Sequence, residues 1–260
     1  MVNLWEFFCF HKKFLVYTMV TRNLKIKYRR SVLGFLWTLL IPILQAGIYY
    51  LVFNRILKVQ ADNYVLFILT SLLLWGFFSN TLTEAQESLL MHSNLITKIN
   101  IPLHAFPWIA SITHAIILFL SLPVVVGISL LHGIRPTPSY FYLPVLILQL
   151  LLFAYSMGLV LSIIVIFFRD LRHLLAIGLQ IWMYSTPVLY QAKMLPPEFS
   201  WVLWANPLGF IFSSAHRIVL EGSWPTLTQF TVPTLWAIGA AWVARAALNR
   251  ARTMGVTEWL

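Results

Sequence analysis

The sequence predicts an all-α polytopic membrane protein with six transmembrane helices. Hydrophobic residues make up 60% of the chain and charged residues only 10%, with a mean hydropathy of +0.80. A soluble domain usually carries about 25% charged residues. Apolar segments long enough to be spans recur along the chain, since about 20 helical residues cross the hydrocarbon core. Lys and Arg flank these segments. We therefore expect one membrane domain over residues 1–260.

Residues 1–30 are predicted to be a cytoplasmic interfacial and basic segment. Aromatic and charged residues mix along residues 3–20, which favours an N-terminal interfacial helix over a span. Cations continue as far as Arg30, and residues 33–53 then carry no charge and form the predicted first span. Pro42 is expected to kink that span. Because Lys and Arg resist translocation, this junction places the N-terminus in the cytoplasm.

The second and third spans are predicted at residues 64–82 and 109–131. Between them, residues 84–100 are polar enough to leave the membrane and regular enough to be helical, and Pro102 stops the helix. A connection of that length exceeds the commonest ones, which favours a function for it. We interpret residues 84–101 as a cytoplasmic coupling region.

The remaining spans follow at less regular lengths. Residues 140–168 are long for one span, so they must tilt or protrude. A compact charged inner loop at residues 169–173 leads to a short fifth span at residues 174–190. Residues 195–221 are apolar but interrupted by Pro and Gly, and residues 227–248 form the last span.

The distribution of cations decides how many spans to count. Six spans leave most of the 18 Lys and Arg residues inside and both termini cytoplasmic. A seventh span would move Arg245, Arg250 and Arg252 outside. Residues 195–221 are therefore predicted to form re-entrant outer gate helices, a geometry tolerated only where protein or an aqueous cavity covers the backbone. An outer loop resting on the bilayer is the alternative.

The chain carries little that could support catalysis. It has no Gly-rich phosphate loop, so it cannot be its own ATPase. Its seven His residues lack metal-ligand spacing, and we predict neither a catalytic residue nor a metal site. Its cations form no face of their own, which fits anionic lipid rather than nucleic acid. His114 lies inside a span, where ionisable groups are costly, so it is either functional or a neutral imidazole bonded to a neighbouring helix.

The aromatic residues allow two interpretations. The chain has 11 Trp, 10 Tyr and 19 Phe, many of which fit the interfacial belts of a membrane protein. One group clusters instead near the outer half and the broken segment, where ring faces could stack on sugars and let a polymer slide past. This candidate substrate path comprises Tyr49, Tyr50, Trp75, Trp182, Tyr184, Tyr190, Trp201 and Trp204.

Charged residues of the two inner connections are candidates for coupling to a soluble partner. A chain without an ATP site needs a separate ATPase to supply force, and these connections are where that force could arrive. The alternative is a purely structural role, in which the charges pair locally and hold two spans in place. The candidates are Glu84, Glu87, Lys98, Arg169, Asp170 and Arg172.

Four short motifs resemble a known family. The sequence Lys-Tyr-Arg-Arg-Ser-Val-Leu-Gly-Phe-Leu-Trp at residues 27–37, with Pro42, is similar to the start of permease subunits of type-2 ABC exporters. Phe-Phe-Arg-Asp at 167–170, Thr-Pro-Val-Leu-Tyr at 186–190 and Asn-Pro-Leu at 206–208 follow in the family's order and spacing. The resemblance covers nearly the whole chain and is closest to the branch that exports lipid-linked polysaccharides such as O-antigen.

The resemblance implies a non-enzymatic transport subunit of a bacterial inner membrane. It implies a second copy of the chain, two cytoplasmic ATP-binding subunits that bind the ATP and Mg²⁺, and no cofactor in this chain. The implied cargo is an undecaprenyl-diphosphate-linked glycan. By position, residues 84–100 match the coupling region and residues 195–221 the outer gate helices. The basic residues at the inner face could bind the pyrophosphate headgroup of this cargo, or they could only anchor the chain to anionic lipid. They are Arg22, Lys25, Arg29 and Arg30.

Other functions stay open at this point. A type-2 permease could carry capsule, teichoic acid, a drug or a lipid instead of O-antigen. A membrane glycosyltransferase or acyltransferase acting on a polyprenyl lipid is a rival from another class, and a scaffold subunit that carries nothing is a third. A neighbouring gene for a glycan-binding ATPase or for glycosyltransferases would separate the cargoes, and transferase activity in the purified protein alone, without an ATPase, would favour the enzyme.

Overall fold

The computed structural model describes residues 13–29, 31, 33–56, 58, 63–98 and 101–256. Arg30 and most of the expected interfacial segment 3–20 lie outside these ranges. Throughout the described residues the chain is helical and has no β-strand, in agreement with the predicted all-α class. The α-helices are α1 (Lys13–Tyr28), α2 (Leu36–Tyr49), α3 (Tyr64–Met91), α4 (Ser93–Lys98), α5 (Ala105–Leu131), α6 (Leu143–Phe167), α7 (Leu171–Ser185), α8 (Ser200–Ala205), α9 (Pro207–Glu221) and α10 (Leu227–Thr253).

Five helical segments of the described chain are long and apolar enough to cross a membrane. They are Leu36–Ile56, Tyr64–Met91, Ala105–Leu131, Pro138–Phe167 and Leu227–Thr253. The first joins α2 to the π-helix Tyr50–Ile56, and the fourth joins the 3-10 helix Pro138–Tyr142 to α6. The chain is thus a multi-pass membrane protein. The predicted fifth of six spans corresponds to α7, which has only 15 residues and reaches about 22 Å.

Helix α6 lies at the centre of the bundle. It packs along α3 on one side and α10 on the other, and α3 also packs along α5. Gly158 permits the close crossing of α6 and α3, because a Cβ on Gly158 would lie 2.6 Å from the Cβ of Ala85. Small residues commonly allow such approach between membrane helices. In the segment Leu36–Ile56, which contains α2, in contrast, only 6% of the apolar stretch is buried.

The bundle has two distinct ends. The "α4 end" contains α1, the end of α3, α4, the start of α5 and the end of α10, with a core that includes Leu89, Phe106 and Leu248. The "α9 end" contains the start of α3, the end of α7, and α8 and α9, with a core that includes Phe67, Val188 and Phe212.

The coupling region differs from its expected form. Residues 84–91 continue α3 without interruption, and the chain breaks at His92 before the short helix α4. The irregular stretch differs in its bounds from the predicted broken segment 195–221. It begins at residue 186, inside the predicted fifth span 174–190, and contains the 3-10 turns Ala192–Met194 and Pro197–Phe199 and the short helix α8. Residues 207–221, in contrast, form the continuous helix α9.

Candidate functional site

At the α4 end a polar cluster joins three helices. Nε2 of His114 on α5 lies 2.7 Å from Oε2 of Glu84 on α3. Asn23 of α1 donates from Nδ2 to the other oxygen, Oε1 of Glu84, at 3.4 Å. His114 is buried, whereas the Glu84 side chain is 40% exposed. The histidine is therefore bonded to a neighbouring helix, as the simpler interpretation expected, and its partner there is a carboxylate.

A cavity of 350 Å³ opens beside this cluster between α1, α3 and α5. Arg22, Asn23, Glu84, Ser88 and His92 form its polar wall. Arg22 is thus the one candidate headgroup residue, among the residues described here, that lines a cavity at this end. The cavity could receive a charged or polar group.

The other described candidate headgroup residues do not line this cavity. Lys25 and Arg29 are exposed, and Arg30 lies outside the described part of the chain. Lys27 is a further cation near Glu84. Desolvation lowers the pKa of Lys27, and the Glu84 carboxylate opposes that shift.

Two of the candidate coupling residues pair across helices. Nε of Arg172 at the start of α7 lies 3.7 Å from Oε1 of Glu87 on α3, with both side chains partly exposed. Arg169 and Asp170 are exposed in the turn before α7, and Lys98 is exposed on α4. All six candidates therefore lie at the α4 end. The paired ones connect helices, and the exposed ones remain accessible to a partner.

Only part of the candidate aromatic path comes together. The ring of Phe78 packs edge-on against Trp182 at a centroid distance of 5.1 Å and lies 5.8 Å from Trp75. Phe153 contributes a third neighbour, 6.3 Å from Trp182. Trp182 also lines an open apolar groove of 740 Å³ between α6, α7 and α10, together with Trp236. Trp75 and Trp182 thus belong to one cluster in the middle of the bundle.

The remaining path residues are dispersed around the α9 end. Tyr49 packs near Phe53, and the Arg55 guanidinium lies 5.9 Å from the ring centre of Tyr50. Tyr190 is half-buried. The exposed members are Tyr184, Trp201 and Trp204.

Asn206 holds the broken segment together. Its Oδ1 accepts hydrogen bonds from Nε1 of Trp182 at 2.9 Å and from the backbone N–H of Leu208 at 3.1 Å. Its Nδ2 donates to Oγ1 of Thr186 at 2.8 Å. One buried side chain therefore caps α9, fixes the end of α7 and orients a path residue.

The sequence analysis assigned no role to two residues of these networks, although it noted one of them, Asn206, as part of a family motif. Asn206 had a detectable signal, because Asn followed by Pro is a typical N-cap and first position of a helix. Asn23 had none, since its contact with Glu84 depends on how α1 packs against the bundle. Neither the cluster around Glu84 nor the rest of the described chain holds a metal-binding group of three or more His, Cys, Asp or Glu residues.

Comparison with known proteins identifies similar chains. Residues 15–220 match the family described as ABC-2 type transporter. Two Klebsiella pneumoniae proteins named O-antigen export system permease protein RfbA are 30% and 29% identical, each covering 80% of this chain and 81% of its own length. A Myxococcus xanthus protein of the same name is 31% identical over 89% of this chain and 92% of its own.

Proposed function

This chain belongs to the ABC-2 type transporter family, and from that premise we propose how its two ends share the export of a lipid-linked polysaccharide. It is a permease subunit of the O-antigen export type, and ABC-2 permeases are membrane proteins that work with ATP-binding subunits. In our proposal two copies of the chain assemble with two such subunits, which bind ATP and Mg²⁺, and the chain itself does no chemistry.

The α4 end faces the cytoplasm in this proposal. Most described cations lie there, on α1, in the turn before α7 and at the end of α10, whereas few lie at the α9 end. Lys and Arg collect on the cytoplasmic side of membrane proteins. An inner-membrane protein with both termini in the cytoplasm then has six spans, with α7 and its following turn as the fifth and α1 lying along the inner interface.

The observation that carries the transport mechanism is the continuity of α3. This 28-residue helix runs from the candidate coupling residues Glu84 and Glu87 to Tyr64 at the opposite end. Force applied to residues 84–91 of α3 when the ATP-binding subunits close would therefore reach the α9 end along one rigid element. The Glu87–Arg172 contact transfers part of that force to α7.

The α9 end provides the gate in this proposal. α7 ends at Ser185, and Asn206 ties the next residue, Thr186, to the start of α9. Movement of α7 therefore moves α8 and α9, which we assign as re-entrant gate helices. The polysaccharide passes near Trp75 and Trp182 and then along the aromatic residues at the α9 end.

In this proposal the lipid carrier binds at the α4 end. Its pyrophosphate is anionic, and Arg22 presents a guanidinium at the mouth of the 350 Å³ cavity. Arg groups bind phosphate through paired, charge-assisted hydrogen bonds. Lys25 and Arg29 add exposed positive charge on the same segment of the chain, and Arg30 follows them in the sequence. This arrangement fits an undecaprenyl-diphosphate-linked glycan.

A deletion experiment tests the function directly. Removal of the gene should leave lipid-linked polysaccharide on the cytoplasmic face of the inner membrane and abolish surface display, and wild-type permease should restore display. Antibody labelling of the polysaccharide on intact spheroplasts and on inverted membrane vesicles shows which face of the inner membrane carries it. Surface polysaccharide that persists undiminished in the deletion strain would refute the proposal.

A further inference from the structure

A second cavity, of 450 Å³, lies at the α9 end between the start of α3, the turn after α7, and α9. Its volume falls within the range of about 300–1,000 Å³ typical of ligand sites. It differs from the aromatic path, because none of the path residues lines it. Phe67 and Leu220 form its apolar floor. Its polar wall includes Asn63, Gln191, Arg217, Glu221 and Gln229.

Arg217 is the most unusual residue of this cavity. Its Nε is shielded from solvent and has no hydrogen-bond partner among the described residues. Glu221 lies one turn further along α9, where oppositely charged side chains commonly pair, yet the two residues form no ion pair in the described structure. A buried donor of a charged group without an acceptor is costly. Because Arg217 lines the cavity, an oxygen-rich ligand would meet the part of its guanidinium group that reaches the cavity surface, whereas the shielded Nε stays out of contact.

The neighbouring histidine, His216, already contacts other residues of the protein. Nε2 of His216 lies 2.7 Å from Oγ of Ser71, and its ring lies 4.1 Å from that of Phe67. Burial lowers the pKa of His216, which keeps the imidazole neutral. The positive charge offered to the cavity therefore comes from Arg217, and the negative charge from Glu221.

We propose that this cavity binds one neutral sugar unit of the exported glycan. Sugar hydroxyls both donate and accept hydrogen bonds. Guanidinium groups only donate, carboxylates only accept, and the amides of Asn63 and Gln191 do both. The wall therefore matches neighbouring hydroxyls, and because it carries one cation and one anion it favours a neutral sugar over a charged one. This inference rests on the proposed function and adds a sugar subsite at the α9 end.

The experiment uses the complete exporter, permease with its ATP-binding subunits, in nanodiscs. The probe is the host strain's own polysaccharide, released from its lipid by mild acid and trimmed to short oligosaccharides, with trigalacturonate as the acidic counterpart. Equilibrium dialysis measures affinity. We expect Arg217→Met and Glu221→Gln each to weaken binding of the host oligosaccharide about tenfold, as loss of a charged hydrogen-bond partner does.

Arg135→Met is the matched control, because Arg135 is an exposed cation at the same end outside the cavity. Its binding should equal that of the wild type. If Arg217→Met lowers the thermal stability of the exporter, Gln191→Ala, a change in the turn before α8, replaces it as the test of the subsite. We expect Gln191→Ala to weaken binding of the host oligosaccharide. Unchanged binding in Glu221→Gln and Gln191→Ala would overturn the subsite.

Tighter binding of trigalacturonate than of the host oligosaccharide would also overturn it, since that result indicates an anion site. The deletion experiment distinguishes failure of the subsite from failure of the proposed function. If only the subsite is wrong, the deletion strain still accumulates lipid-linked polysaccharide. If the proposed function is wrong, no such accumulation occurs.

Discussion

His104 shows how one buried side chain sets the acid tolerance of the fold. It lies just before α5 and is 3% exposed. Burial, with a smaller contribution from Arg252, lowers the pKa of His104 to about 4 from 6.5. The unfolded chain therefore takes up a proton between pH 6.5 and pH 4 while the folded chain does not. The contribution of His104 to stability is therefore fully present above pH 6.5 and is lost as the pH falls towards 4.

The loss should reach about 3 kcal/mol, because one pKa unit corresponds to about 1.4 kcal/mol. We expect His104→Gln to flatten the fall in thermal stability between pH 6.5 and pH 4, measured by differential scanning fluorimetry in detergent. His132→Gln is the control, since His132 is exposed at the other end. An unchanged pH profile in His104→Gln would contradict the assignment.

Single residues divide into those that sequence could predict and those that it could not. The inner charges were predicted as a group, and the Glu87–Arg172 contact lies within that group. His114 was singled out because an ionisable group inside a span is costly. Its partner Glu84 could not be predicted, because the pair belongs to two helices whose relative rotation hydropathy does not determine.

At the scale of whole helices, polarity proved a poor guide to where a helix ends. Residues 84–91 were predicted to leave the membrane as part of a separate inner helix, yet they continue α3 as far as Met91. Polar residues such as Glu84 and Gln86 form helices well. They indicate depth in the membrane, whereas a helix ends at a capping or breaking residue.

Proline gave the more accurate boundary. The residue before a proline is disfavoured in the α region. Thr186, which precedes Pro187, is extended with φ −100° and ψ 144°, and α7 ends immediately before it. Pro187 thus marks the end of α7 better than the predicted fifth span 174–190, which ran past it. The cross-linking of that end to α9 through Asn206 was not predictable, because it requires the distance between two segments.

The crossing of α3 and α6 supplies a prediction about helix packing. A methyl group added at Gly158 would lie 2.6 Å from the Cβ of Ala85, which forces two central helices apart. Overpacking of this kind costs about 1–3 kcal/mol. We expect Gly158→Ala to lower the thermal stability of the purified permease, measured by fluorescence-detected size-exclusion chromatography after heating.

A compensating change distinguishes packing from other effects. In Gly158→Ala with Ala85→Gly, the two methyl groups no longer collide, and stability should largely return. Gly127→Ala is the matched control, because a Cβ there meets no atom within 4 Å. If the double variant is no more stable than Gly158→Ala alone, the close approach is not what limits this interface.

At the scale of the whole molecule, hydropathy could not reveal which helices neighbour one another. Leu36–Ile56 and Tyr64–Met91 are equally hydropathic, yet only 6% of the first is buried, compared with 72% of the second. In a bilayer, side chains that face lipid and side chains that face another helix are chemically alike. The exposed apolar length of α2 is therefore available to lipid or to a second copy of the chain.

Assembly with the ATP-binding subunits is the last and largest test of the arrangement. The α4 end presents Arg169 and Asp170, both exposed and adjacent in the turn before α7. The pair has opposite charges and lies next to Arg172, which contacts α3. A cytoplasmic partner docked on this turn would therefore act on both α7 and α3.

We expect Arg169→Ala with Asp170→Ala to reduce co-purification of the ATP-binding subunit about tenfold or more, because losing a charge pair at an interface costs about 2 kcal/mol or more. Arg135→Ala with Glu198→Ala removes one cation and one acid that are exposed at the α9 end, so it should co-purify normally. Both variants should keep wild-type thermal stability, since exposed charges contribute little to it. Normal co-purification of the first variant would refute docking at this turn. Equal loss in both variants would mean that net surface charge, rather than a specific contact, governs the assembly.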